Sequence, residues 1–155
     1  MTNRISRRDL LAGSAAAFTI IRPELVRGAG QEKLKAGLIG CGGRGTQAVV
    51  NMLSGDPNIE LVAMGDIFED HLEGSLRNLR DPGYVTHNVN QVAEFTGKPA
   101  ADLAKSVIER VKVGPEQRFS SFDAFKKLIA SEVDIVMLCT PPGYRPQHFE
   151  VPSHC

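Results

Sequence analysis

Residues 34–50 read LKAGLIGCGGRGTQAVV, a short apolar run, three spaced glycines and the start of a helical pattern. Lys35 to Ile39 has nearly continuous apolar residues, the pattern of a strand buried on both faces. Gly40, Gly42 and Gly45 stand at the first, third and sixth places of GCGGRG. In a strand–turn–helix context the first glycine permits the tight turn and the second lets a pyrophosphate approach the backbone. The third allows close contact between helix and strand. The helix start adds free amide hydrogens and the positive end of a dipole, both suited to a phosphate. The alternative is a glycine turn that serves only close helix packing.

An acid at the right distance strengthens the phosphate reading. Ile59 to Met64 is the second strand, and Asp66 ends it about twenty residues beyond the glycines, where a carboxylate accepts hydrogen bonds from the adenosine ribose hydroxyls. A 2′-phosphate there would face like charge, so NAD is favoured over NADP. Asp66 also has a purely local reading, because DIFE is a capping spacing with Asp66 as N-cap and Glu69 three residues on. Arg44, in the first helical turn, opposes the macrodipole by about 0.3–1 kcal/mol, which a bound phosphate would reverse; the alternative is a solvated side chain bending away. Class I methyltransferases share the glycine loop but usually carry an acid two places before its first glycine, and here that place is Leu38.

The remaining chain alternates short apolar runs with helical stretches. The first helix carries Val49, Met52 and Leu53 inward and stops at Gly55 and Pro57; a second runs from about Glu69 towards Arg80, where DPG breaks it. Leu103, Val107 and Val111 predict a helix between Ala100 and Val111, within an otherwise poorly patterned stretch from Tyr84 to Gln117. Phe119 to Ser121 is a short third strand. Ser120 and Asp123 then have capping-box spacing for a helix with Phe125, Leu128 and Ile129 inward. Asp134 to Cys139 is the fourth strand, and a new helix starts near Gln147. Such alternation predicts an α/β fold with a parallel, Rossmann-like sheet, here incomplete at about four strands. Right-handed crossovers give the order 3-2-1-4.

The ends and the composition bound the function. Residues 1–30 join Arg4, Arg7 and Arg8 to a mild apolar run from Leu10 to Ile21, about twelve apolar residues where a membrane span needs roughly twenty. SRRDLL resembles a twin-arginine export signal, with leucine where phenylalanine is usual. The alternatives are a disordered basic tail or a Sec signal. Residues 31–155 are then expected to form the partial dinucleotide-binding domain, exported to the periplasm or cell envelope of a bacterium. Lys plus Arg and Asp plus Glu each number 18 in 155 residues, so the net charge is zero and no nucleic-acid partner is indicated. Cys41, Cys139 and Cys155 have no metal-ligand spacing and cannot form an even disulfide framework. Cys41 and Cys139 end neighbouring strands and read as small buried thiols. His71 reads as solvated, and His148 as a helix-start residue rather than an acid or base.

On these residues the chain resembles the Gfo/Idh/MocA oxidoreductases. The resemblance spans about Leu34 to Glu150 and rests on LKAGLIGCGGRG, VAMGDIFEDHLEGSLRNL, FSSFDAFKKLIASEVDIVMLCTPP and the following His148. It implies that the loop Gly40, Cys41, Gly42, Gly43, Arg44 and Gly45 holds the pyrophosphate of NAD, and Asp66 the adenosine ribose. It further implies that Thr140, Pro141 and Pro142 line the nicotinamide half of the cleft. The family acts by hydride transfer on sugars, polyols or related substrates. Its next elements, including a Glu-Lys-Pro motif that supplies the catalytic lysine and a larger substrate domain with the oligomer contacts, are not found before VPSHC. The expectation is therefore a dinucleotide-binding portion without catalytic residues of its own, dependent on the twin-arginine machinery for export. The alternative is a non-enzymatic nucleotide-binding or interaction module.

Overall fold

The computed structural model describes residues 33–144 and residue 146. The segment expected to be a twin-arginine signal, the helix expected near Gln147, His148 and Cys155 lie outside the described residues. In chain order the elements are β1 (Leu34–Ile39), α1 (Gly43–Gly55), β2 (Ile59–Asp66), α2 (Glu69–Arg80), α3 (Pro82–Thr96) and α4 (Ala100–Glu109). A 3-10 turn at Pro115–Gln117, β3 (Arg118–Ser120), α5 (Ala124–Ile129), β4 (Ile135–Leu138) and a second 3-10 turn at Pro142–Tyr144 follow.

The four strands are all parallel, in the order β3-β2-β1-β4. This is the incomplete Rossmann-like sheet that the alternation of elements predicts. The central strand β1 is buried on both faces because its side chains divide between two clusters. Ala36 and Leu38 meet Val49, Val50 and Leu53 of α1 on one face, whereas Ile39 meets Ala63 and Leu128 on the other. β4, at one edge of the described sheet, is only half-buried along its whole length.

The two faces are covered unequally. One carries α1, α2, α3 and α4 on a single large cluster; the other carries the six-residue α5. Helix α3 was not predicted by the apolar spacing, and its ends explain why it forms. Asp81 accepts from the Tyr84 amide at 2.6 Å as N-cap, Pro82 occupies the first turn, and Gly97 closes the helix at φ +69°. Asp81-Pro82-Gly83 thus ends α2 and starts α3 at one point. Val85 and Val89, four apart, bury the face of α3 that meets the cluster.

Several boundaries differ from expectation. Helix α4 ends at Glu109, and Val111 leaves it to bridge β2 at Leu61; the Arg110 carbonyl accepts from the Leu61 amide and the Leu61 carbonyl from the Lys112 amide. At this point Arg110, the C-cap, has a buried guanidinium that donates to the carbonyls of Leu53, Asp56 and Ile59 and anchors the end of α4 to the end of α1. Burial lowers its pKa, opposed by Asp56 and Glu60. The Ser120–Asp123 capping box does not form. Ser120 is still in β3 opposite Asp66, and Asp123 at the N-cap makes no capping bond but pairs with Lys126 at 3.1 Å.

Candidate functional site

The glycine loop lies at the carboxyl end of β1, beside the ends of β2 and β4. Gly40 takes φ +94°, and a Cβ on it would stand 2.9 Å from the Cys139 carbonyl carbon and 3.0 Å from the Thr140 nitrogen. The turn therefore needs glycine both for its backbone angle and for the approach of β4. A Cβ on Gly45 would collide with the Gly40 carbonyl oxygen, so α1 can sit against the loop only with glycine there. Gly42 is different. Its φ of −68° and ψ of 178° suit any residue, and a Cβ on it would meet nothing within 4 Å.

Helix α1 begins at this open point. Gly42 is its N-cap, with no side-chain capping bond and no acid in the first turn. Arg44 is exposed, and its side chain makes no ion pair or hydrogen bond with another described residue. The first turn is nevertheless held firmly. Thr46 Oγ1 donates to the Gly42 carbonyl at 3.0 Å and lies 2.7 Å from Ser75 Oγ of α2, with both hydroxyls buried. Apolar periodicity gives no sign of this pair, since each residue lies in a different helix.

Asp66 is the last residue of β2, not the N-cap of α2; that position is Phe68. Its carboxylate spans the site. Oδ2 accepts from the Cys41 amide of the glycine loop at 2.5 Å, and Oδ1 accepts from the Phe68 amide at 3.0 Å. The DIFE capping box is thus replaced by a turn bond to Phe68 and a tie to the loop. Each carboxylate oxygen has a second lone pair, so the group can accept two further donors such as ribose hydroxyls. His71, although exposed, has Nδ1 3.9 Å from Asp66 Oδ1.

Cys41 is buried, as its apolar context predicts, and its thiol donates to the Gly65 carbonyl at 3.5 Å. Burial, with Asp66 nearby, pushes its pKa up to about 12. It is an inert core thiol rather than a nucleophile. Cys139 donates its amide to the Ile39 carbonyl at 2.8 Å and is half-buried, less enclosed than the small buried thiol expected there. Thr140 follows, half-buried, and Pro141 and Pro142 are exposed on the turn where the Tyr144 amide donates to the Pro141 carbonyl.

The fold therefore brings the glycine loop, Asp66 and the Thr140–Pro142 segment to one edge of the sheet, at the reversal of strand order where open α/β sheets bind ligands. Neither a family model nor a curated protein matches this chain.

Proposed function

We propose that the chain binds NAD, with the pyrophosphate over Gly42 and the start of α1, the adenosine ribose at Asp66, and the nicotinamide half towards Thr140, Pro141 and Pro142. The observation that carries this reading is the contrast among the glycines. Gly40 and Gly45 are required by contacts within the protein, whereas Gly42 is required by none. A glycine beside open space, at an uncapped helix start next to the exposed Arg44, fits a phosphate that must approach the backbone closely. The charge of Asp66 favours NAD over NADP.

On the resemblance drawn from its motifs, the chain is the dinucleotide-binding portion of a Gfo/Idh/MocA-type oxidoreductase that acts on a sugar, polyol or related substrate and is exported through the twin-arginine route. NAD supplies the hydride-accepting ring when bound; this chain's residues orient the cofactor. The activity proposed for the chain itself is cofactor binding. Calorimetric titration of the full chain with NAD and NADP tests it. Tighter binding of NAD is expected; binding of neither overturns the reading.

A further inference from the structure

Two phenylalanines beside Asp66 are far more exposed than their chemistry warrants. Phe68 is 57% and Phe122 77% exposed. Their sequence neighbours Phe119 and Phe125, by contrast, are half-buried against the smaller cluster. The topology puts the two exposed residues at matching places. β2 and β3 are parallel neighbours with Asp66 opposite Ser120, and each phenylalanine stands two residues beyond that pair. The Ser121 amide donates to the Asp66 carbonyl at 3.1 Å, so the two chains leave the sheet still joined.

We propose that Phe68 and Phe122 hold the adenine of the dinucleotide by stacking, and so recognise the faces of the base rather than its edge. This inference rests on the NAD reading above. In adenosine the base is carried on the ribose carbon next to the one bearing the 2′-hydroxyl. A ribose bound at Asp66 therefore places its base within one sugar ring of that carboxylate. The other exposed large apolar residues among those described stand elsewhere: Leu34 begins β1, Phe95 is near the end of α3, and Tyr144 follows the paired prolines beyond β4. Phe68 is also oriented. Its ring meets His71 edge-on, with centroids 5.2 Å apart and planes at 63°. An aromatic face held at the surface suits a flat base, because every base has a π-face to stack.

The test is calorimetric titration of the full chain and its variants with NAD, AMP and nicotinamide mononucleotide, which lacks adenine. Phe68→Ala and Phe122→Ala are each expected to weaken NAD and AMP binding about tenfold, the scale of base–aromatic stacking, and to leave the mononucleotide unaffected. Phe68→Tyr and Phe122→Tyr should retain binding. The dinucleotide carrying hypoxanthine in place of adenine should bind within about threefold of NAD, because stacking tolerates a changed edge. Both rings are mostly in solvent, so unchanged melting midpoints are expected. Wild-type binding of NAD with alanine variants that bind AMP equally well overturns the stacking role and leaves the NAD reading standing. Equal losses for AMP and the mononucleotide mean a general distortion and also overturn it. A wild-type chain that binds neither NAD nor AMP overturns both.

Discussion

The Asp66 carboxylate accepts the Cys41 amide at 2.5 Å, so the end of β2 holds the glycine loop in place. The residue proposed to hold the ribose is also a structural tie for the segment proposed to hold the pyrophosphate. Rigid placement of the loop lowers the ordering cost of binding there. It also means that replacing Asp66 acts on the loop and on the ligand together, and the two effects must be separated by cofactor choice.

Asp66→Ala is expected to weaken NAD binding by about 1.5–3 kcal/mol, the range for a hydrogen bond to a charged group. NADP binding should fall less, because the like charge facing the 2′-phosphate is removed with the acceptor. Loss of the Cys41 and Phe68 amide bonds should also lower the melting midpoint. Parallel titrations with both cofactors decide between the roles. A lower midpoint with an unchanged NAD-to-NADP ratio leaves Asp66 as a loop tie alone.

The three fingerprint glycines should separate into two kinds. Gly42→Ala should keep stability within about 1 kcal/mol, since the helix-cap loss and the gain from a less flexible unfolded chain nearly cancel. Its NAD affinity should nevertheless drop at least about tenfold, as a methyl group enters the space next to a pyrophosphate. Gly40→Ala and Gly45→Ala should lose several kcal/mol of stability, roughly the cost of strain or overpacking with no room to relax. Denaturant melts and NAD titrations of all three provide the check.

Cys41 should impose an alkaline limit on stability. Its pKa is raised by burial from 9.0 to about 12 in the folded chain. Below pH 9 both states hold the proton and the full contribution is present. Between about 9 and 12 the unfolded chain releases it and the folded chain does not, so stability declines by about 1.4 kcal/mol per pH unit. Lysines and tyrosines titrate in the same window, so the measure is the difference between wild type and Cys41→Ala, whose pH slope should be shallower. The native thiol should also resist alkylation until the chain unfolds.

Arg110→Met is expected to destabilise the domain by about 3 kcal/mol or more. It strands the carbonyls of Leu53, Asp56 and Ile59 in a buried place. Arg110→Lys should recover only part of this, because one ammonium cannot reproduce the forked set of donors. Urea melts of both variants measure the order; equal stabilities for lysine and wild type would contradict the anchoring role.

Arg7 and Arg8 are expected to direct export. A reporter fused to residues 1–30 should reach the cell envelope, and changing both arginines to lysine should abolish its passage. Export at an undiminished level would exclude the twin-arginine route.

Much of the fold was legible along the chain, since local spacing records which face of each element is apolar. The run Lys35–Ile39, the glycines after it and the periodic Val49 and Leu53 identify β1, the loop and α1. The same pattern, with the handedness of crossovers, yields four parallel strands in the observed order. Helix α3 escaped because its short buried stripe is weak and its start coincides with the stop of α2. Its caps, Asp81-Pro82 and Gly97, were the readable sign.

The site divides along the same line. Spacing placed the glycines and Asp66 at strand ends on one edge of the sheet, and the family resemblance added the paired prolines that follow β4. The polar ties that shape this edge and brace the fold join residues distant in the chain: Cys41 to Asp66, Thr46 to Ser75, and Arg110 to Leu53. So do the steric demands, which make glycine necessary at Gly40 and Gly45 but not at Gly42. A period of two or 3.6 residues encodes burial, which is a local average over one element. A hydrogen bond or a collision depends on ångström-scale distances between elements, and these exist only once the chain has folded.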